Sequence, residues 1–205
     1  PLNYLAWTLF FCAFWMISEI SFRQIIFKNI SVLSYFTYWC LMIIPIPLII
    51  FINDLQKGRY KKVFLLPLAY SMVIIIVGTL LQVFNVVEFV TQLKFIHGGL
   101  LVSIVCIIAT ITIDTFTHRL SDYLFVGIGI YGMIVTAILE MILYYVGTDL
   151  SLGTTLSIGL LFLLVMAIIK TGQDLLDSEK KKQQAITARE AQAKFLANMS
   201  HEIRT

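Results

Sequence analysis

The sequence predicts an all-α membrane protein, in which a polytopic helix bundle is followed by a C-terminal cytoplasmic helix. Only 13% of the 205 residues are charged and the mean hydropathy is +0.90, whereas a soluble domain carries about 25% charged residues. The apolar residues form runs of about 20 positions, which is the length that a helix needs to cross a hydrocarbon core of roughly 30 Å. After residue 170 the composition changes to charged residues, glutamine and alanine, which favour a helix outside the membrane.

Six apolar runs are present, and all are predicted to be helices because lipid offers no partner to an unpaired backbone amide. The second run contains Pro45 and Pro47, which lack an amide donor and predict a kink in that span. The first run is short and is expected to begin before Pro1. The predicted spans cover residues 3–17, 30–52, 63–84, 96–113, 123–146 and 154–169.

The lysine and arginine residues between these runs predict the orientation of the bundle. If the segment after residue 169 is cytoplasmic, the linkers 53–62 and 114–122 are also inside. The basic residues are then in excess inside, in agreement with the positive-inside rule. The inside set is Lys57, Arg59, Lys61, Lys62, Arg119 and Lys170, and the outside set is Arg23, Lys28 and Lys94.

The same topology places the N-terminal end of the chain inside. The chain begins with Pro1 and its last residues lie within a helical pattern, so we expect it to be a fragment of a longer protein. A further span upstream, the seventh, would bring the longer chain out of the cell and leave room for an external domain.

Composition and cysteine spacing argue against several other classes of protein. The net charge of +3 is too small to indicate a nucleic-acid partner. Cys12, Cys40 and Cys106 lie inside apolar runs, and their spacing fits neither a disulfide nor a metal site. No glycine-rich loop outside the membrane and no phosphate-binding lysine motif occurs in the sequence. We therefore predict no cofactor or metal bound by these residues.

Polar residues and glycines within the spans are further candidates for a function. Glu140 lies near the outer end of the fifth span, where an intramembrane carboxylate is a functional candidate by default but can equally reach the interface. His97 lies at the outer end of the fourth span, and no second ligand stands three or four residues away, so an interfacial role is favoured over a metal site. Gly127, Gly129 and Gly132 would permit close helix contact.

Residues 170–187 are predicted to continue the last span as one helix, with a weak point at Thr171 and Gly172. The segment is rich in helix formers and has no proline. Leu176, Ile186 and Ala193 form a sparse heptad-like seam, which fits either a weak coiled coil that shifts register during signalling or an ordinary linker helix.

The last residues carry two stripes at intervals of three and four positions, which lie on different faces of a helix. His201 belongs to the polar stripe and is expected to be exposed on a helix whose other side is packed. The apolar stripe is Leu196, Met199 and Ile203, and the polar stripe is Lys194, Asn198, His201 and Thr205.

An exposed histidine can act as a nucleophile, because the pKa of imidazole lies close to neutral pH. The carboxylate of Glu202 would hold the ring in the tautomer with Nε2 free and stabilise the charge that develops on attack. Thr205 lies one turn after His201, where its hydroxyl could orient a water molecule, and Arg204 could offer charge to a phosphate.

The stretch Phe195-Leu-Ala-Asn-Met-Ser-His-Glu-Ile-Arg-Thr205 resembles the phosphoacceptor box of sensor histidine kinases, in the form common in hybrid kinases. The resemblance implies that 188–205 begin a dimerisation and phosphoacceptor domain, which pairs with a second copy as a four-helix bundle. His201 would take the γ-phosphoryl group of ATP and pass it to an aspartate of a response regulator or fused receiver domain. Glu202 would be the general base, and Thr205 would position water for phosphatase activity. ATP with Mg²⁺ would bind in a catalytic domain outside these residues, so the fragment alone should be inactive.

Three stretches of the membrane part also form a pattern: Trp15-Met-Ile-Ser-Glu19, Phe22-Arg-Gln-Ile-Ile-Phe27 and Leu41-Met-Ile-Ile-Pro-Ile-Pro-Leu48. This pattern is similar to the membrane module of the seven-transmembrane receptors with diverse intracellular signalling modules. The resemblance implies a multi-pass protein of the bacterial inner membrane, embedded in lipid, that responds to an unknown external ligand. The predicted division is a sensor module at 1–169, a helical connector at 170–187 and the phosphoacceptor segment at 188–205.

Together these patterns predict a membrane sensor histidine kinase of a two-component phosphorelay. The alternative is a membrane transporter or scaffold whose tail only resembles the phosphoacceptor box, and uptake that depends on Glu140 would favour it. A third hypothesis is that the receptor module is present but the kinase is degenerate and serves only as a passive dimeric coupler.

Overall fold

A computed structural model describes the backbone of residues 2–19, 30–147 and 153–204, and the side chains of 2–19, 32–147 and 153–193. These ranges consist of helices joined by short turns and contain no β-strand. The all-α prediction is therefore confirmed for the described part of the chain. The helices are α1 (Leu2–Glu19), α2 (Ile30–Ile43), α3 (Pro45–Leu55), α4 (Lys61–Val83), α5 (Phe89–Phe116), a 3₁₀ helix (Leu120–Tyr123), α6 (Leu124–Val146) and α7 (Thr154–Arg204).

Five helical segments of the described chain are long and apolar enough to cross a membrane. They correspond to the second to sixth predicted spans. Helix α1 corresponds to the first predicted span, 3–17, and is not among the five, so its crossing of the membrane stays a prediction. The five segments are Val32–Leu55, Lys61–Val83, Phe89–Phe116, Leu120–Val146 and Thr154–Ala193.

The second span is interrupted where the prolines predict it. Helix α2 ends at Ile43, and α3 begins at Pro45, whose missing amide would otherwise have to donate within a continuous helix. The Ile44 amide still donates to the Cys40 carbonyl at 2.9 Å. Pro67, which lies inside α4, does not interrupt that helix.

The main apolar core contains side chains from each of the α-helices α1 to α7. Ile52, Ile107, Ile130 and Leu163 have no exposed surface and belong to one apolar cluster. Large apolar side chains also cover the outside of the bundle, most densely on α4, where Leu65 is 66% exposed. An apolar core inside an apolar surface is the arrangement expected of a bundle whose solvent is lipid.

Helices α6 and α7 approach each other closely because glycines line their contact. A Cβ atom at Gly129 would lie 3.1 Å from the Leu163 Cα, and one at Gly159 would lie 3.0 Å from the Met133 Cα. Gly132 faces an aromatic ring of α7 in the same way. Small residues that let backbones approach are typical of helix contacts in membranes, so α7 is held most tightly by α6.

Replacing Gly159 with alanine is expected to destabilise the bundle, because the added methyl group meets the α6 backbone. The cost should be about 1–3 kcal/mol, as for overpacking elsewhere. Gly172 is the matched control in the same helix, since nothing lies within 4 Å of its absent Cβ. There alanine should be neutral or stabilise by up to about 1 kcal/mol. Thermal unfolding in detergent should separate the two variants, and equal midpoints would contradict the close contact.

Helix α7 runs without a break for 51 residues, which is about 75 Å at roughly 1.5 Å per residue. The prediction that the last span and the connector form one helix is confirmed. The helix is not interrupted at the predicted weak point, because Thr171 and Gly172 are both helical and the Thr171 hydroxyl donates to the Ala167 carbonyl at 2.8 Å. The lower stability predicted for this point stays a prediction. The side chains of residues 171–193 are all exposed.

Candidate functional site

The predicted phosphoacceptor residues lie at the far end of α7. His201 and Glu202 are part of the continuous helix, which ends at Arg204, but their side chains are outside the described ones. Thr205 lies outside the described residues. The helix places His201 about 45 Å beyond Lys170, the last half-buried residue of the bundle, at roughly 1.5 Å per residue. A change in the bundle would therefore have to travel along α7 to reach this histidine.

A cavity of about 230 Å³ lies between α1, α2, α3, α5, α6 and α7. It extends from the end of the bundle where α1 and α6 end and where α5 and α7 begin, which is the outer end in the predicted topology, to about the middle of the helices, where Thr8, Ile107 and Met133 line it. Most of the lining side chains are apolar, including Leu41, Ile104, Ile134 and Leu160. Sequence reasoning did not predict this cavity.

Three hydroxyl groups of the cavity wall donate to carbonyls of their own helices. The distances are 2.9 Å from Thr8 to the Tyr4 carbonyl, 2.9 Å from Thr37 to that of Leu33 and 2.8 Å from Ser103 to that of Gly99. Each hydroxyl proton is thus already used. The hydroxyl oxygens keep lone pairs, so they can act only as acceptors toward an occupant of the cavity.

Glu140 caps the N-terminus of α7. Its carboxylate is 8% exposed and accepts from the amide of Gly153 and, at 3.2 Å, from that of Leu156. The first amides of a helix lack partners within it and carry a partial positive charge, so a carboxylate is stabilised there. Neither sequence reading of Glu140, a functional carboxylate or one at the interface, included this contact. Glu140 also lines the cavity, so it connects the cavity to the start of α7.

His97 is buried against the end of α6. The distance from its Nδ1 to the Tyr145 hydroxyl is 3.0 Å, and its ring meets those of Tyr144 and Tyr145 edge to face at 5.5 Å. The ring is 8% exposed and lines the cavity, and Nε2 contacts no partner within the described part of the chain. Two tyrosines from α6 therefore cover the ring, and the interfacial position of His97 in a membrane stays a prediction.

A second polar cluster lies at the opposite end of the bundle, around Asp114. This carboxylate has no exposed surface and accepts from the hydroxyl of Tyr60 at 2.9 Å, from that of Tyr123 at 2.5 Å and from Nη2 of Arg59 at 3.3 Å. Gln56 donates to the Tyr123 hydroxyl at 3.2 Å. A buried carboxylate is tolerated only when it is paired and hydrogen-bonded, as here.

The Asp114 cluster joins the two linkers that the sequence predicts on the cytoplasmic side. Arg59 and Tyr60 come from the turn between α3 and α4, while Asp114 and Tyr123 flank the turn before α6. Partial burial and the hydrogen bond to Asp114 raise the pKa of Tyr60, so its hydroxyl stays protonated and able to donate. Sequence reasoning counted these linkers only for their charge and missed the cluster.

Two ion pairs lie near the point where α7 leaves the bundle. Lys57 pairs with Asp122 at 2.6 Å, and Lys170 pairs with Asp174 at 2.7 Å along the same helix. Neither pair joins α7 to another helix and solvent screens both, so they contribute little to the position of α7.

The three cysteines are free thiols, and Cys12 and Cys40 are buried. The prediction of small buried residues is therefore confirmed for Cys12 and Cys40, whereas Cys106 is half-buried. Among the side chains that the structure describes, no group of three or more histidine, cysteine, aspartate or glutamate residues could hold a metal ion.

Comparison with known proteins gives no match to the chain: no family model, no curated protein and no solved structure is similar to it. The two family resemblances therefore depend on the residues of the chain alone.

Proposed function

We propose that the chain is the sensor module and the start of the phosphoacceptor domain of a membrane histidine kinase in a two-component phosphorelay. One observation supports this most: residues 195–204 of the motif lie on the helix that begins inside the bundle at Thr154. In this proposal the protein is a homodimer in a bacterial cytoplasmic membrane, with the end of α7 in the cytoplasm.

The proposed chemistry is phosphoryl transfer from ATP to His201. A lone pair on Nε2 forms a bond to the γ-phosphorus, the bond from that phosphorus to the bridging oxygen breaks, and ADP leaves with the electron pair. Glu202 hydrogen-bonds Nδ1 and stabilises the positive charge on the ring. The phosphoryl group then passes to a receiver aspartate. No ATP-binding motif occurs in the 205 residues, so ATP and Mg²⁺ would bind in a separate catalytic domain.

The proposed signal path begins at the outer end of the bundle. A ligand would change the packing between α6 and α7, which are held together by Gly129, Gly132 and Gly159. The change would pass along α7 as a rotation or a shift and alter access of the catalytic domain to His201. Such a switch needs two packings that differ by a few kcal/mol.

The test is incorporation of phosphate by the product of the complete gene, in inverted membrane vesicles with ATP labelled at the γ-phosphate. We expect a label that acid removes and alkali does not, and that moves to a purified receiver domain. ATP labelled at the α-phosphate is the control and should leave no label. A vesicle protein without label, or with an acid-stable one, would contradict the proposal.

A transporter is the second candidate, and the central cavity is the observation that favours it. It predicts accumulation of a solute by the vesicles and no phosphate on His201. Because both oxygens of Glu140 face the N-terminus of α7, loss of uptake in a Glu140 variant would first have to be separated from loss of folding.

A further inference from the structure

We propose that the cavity at the outer end of the bundle binds a small, uncharged, mainly apolar molecule that carries one hydroxyl group. The volume of about 230 Å³ exceeds the roughly 150 Å³ of an apolar cavity that accepts benzene, and it lies below the range of about 300–1,000 Å³ typical of drug-sized ligands. An occupant of one substituted aromatic ring, or of similar size, therefore fits.

The polar group of the ligand is inferred from His97. Its ring is fixed by Tyr144 and Tyr145, and its Nε2 is without a protein partner in the described residues. The proton can be on either ring nitrogen, depending on the direction of the hydrogen bond to Tyr145. A hydroxyl group satisfies both cases, because it donates and accepts.

Charge on the ligand is disfavoured by the same surroundings. Two acidic side chains, Glu19 and Glu140, line the cavity. The carboxylate of Glu140 already faces the positive end of α7, and Glu19 also has an interaction partner. A charged group in an apolar cavity without its own partner would carry a large desolvation cost. An uncharged ligand avoids this cost.

The position of the cavity gives binding a route to the output helix. Leu156 and Leu160, in the first two turns of α7, form part of its wall, and Glu140 both lines it and caps α7. Occupancy would change the position of the start of α7. The effect on kinase output depends on the proposed function above, but binding itself does not.

The binding test uses thymol, an apolar phenol of one ring, with the complete gene product in lipid nanodiscs. Empty nanodiscs give the blank for partitioning into lipid. We expect saturable binding of one thymol per chain. Para-cymene lacks only the hydroxyl group, so it should compete about five to tenfold more weakly, which corresponds to the loss of one hydrogen bond. No saturable binding above the blank, or equal competition by para-cymene, would overturn the proposal.

Three variants localise the site. Ala137→Phe fills the cavity from α6 and should weaken binding at least tenfold, whereas the control Val135→Phe adds the same ring on the exposed side of α6 and should bind as the wild type does. His97→Phe keeps a ring but removes the polar atom, so thymol and para-cymene should bind it equally. If Ala137→Phe does not fold, the comparison of thymol with para-cymene in His97→Phe still tests the proposal. Unchanged binding in Ala137→Phe, or an unchanged preference for thymol in His97→Phe, would refute the assignment.

Labelling of His201 with and without thymol then tests regulation separately. Binding together with a change in labelling supports a link to the kinase. If thymol binds but does not change the labelling of a protein that takes up label, only the regulatory part is overturned. If the protein takes up no label at all, the result counts against the proposed kinase and leaves the cavity assignment unaffected.

Discussion

Replacing His201 with glutamine in the complete protein is expected to abolish phosphate incorporation. Glutamine has similar hydrogen-bonding capacity but no nucleophilic nitrogen, so the phosphoryl group has no acceptor. The measurement is acid-labile label after incubation with ATP labelled at the γ-phosphate. The control is His118→Gln, because His118 is exposed in the turn after α5 and should leave labelling unchanged. Acid-labile label on the His201→Gln protein would contradict the assignment.

The two neighbours of His201 should give different effects. Glu202→Gln removes the carboxylate that stabilises the ring charge and should slow labelling by about 10²–10⁴-fold, the usual contribution of general acid–base catalysis. Thr205→Ala should label normally but lose dephosphorylation of the phosphorylated receiver. If both variants slow labelling equally, the separate roles given to the two residues are wrong.

Replacing Asp114 with alanine is expected to be the most damaging change to the stability of the bundle. The hydroxyls of Tyr60 and Tyr123 would lose their acceptor, and the guanidinium of Arg59 would lose its partner in a largely buried site. Removing one partner of a buried ion pair costs about 3–5 kcal/mol. The measurement is the free energy of unfolding in detergent, obtained from denaturant titration.

Asp122→Ala is the matched control for Asp114→Ala. It also removes an aspartate from an ion pair, but the side chains of Lys57 and Asp122 are 71% and 50% exposed. The expected loss is much smaller than for Asp114→Ala, because solvent screens an exposed pair. Equal losses for the two variants would mean that the Asp114 cluster does not hold the two linkers together.

The helices could be predicted from the sequence because lipid-facing and core-facing positions are both apolar. The residues at which the helices begin and end could be predicted less well. Helix α5 begins at Phe89, about two turns before the predicted start at residue 96, because Gln82 accepts from the Phe89 amide at 2.7 Å and buried Gln92 donates to the carbonyls of Gly78 and Val87. These contacts lie between helices, so a hydropathy window cannot detect them.

The contacts that the small residues make could be predicted only in part. Of the three glycines noted in α6, Gly129 and Gly132 face α7, but Gly127 faces Leu120 and Tyr123 of the 3₁₀ helix just before it. Three glycines at close spacing do not reveal which of them meets another helix. That depends on where the neighbouring helix lies.

The candidate sites also differ in whether they could be predicted from the sequence. His201 could be identified because its motif is contiguous, whereas the cavity is built from six helices and has no contiguous signature. Glu140 precedes the amides it caps by more than a dozen positions, and Asp114 binds hydroxyls from two different turns. Their partners are set by the packing of the bundle.

The most direct test of α7 as the link between the bundle and His201 is to change the rotational phase of His201 relative to the bundle. Alanines inserted between Gln184 and Ala185, where the side chains are exposed, rotate His201 relative to the bundle by about 100° per residue. Seven insertions nearly restore the original phase, and two turn it by about 200°. We predict labelling of His201 close to wild type with seven alanines and changed at least fivefold with two. Labelling that is the same for both insertions would contradict a signal carried by this helix.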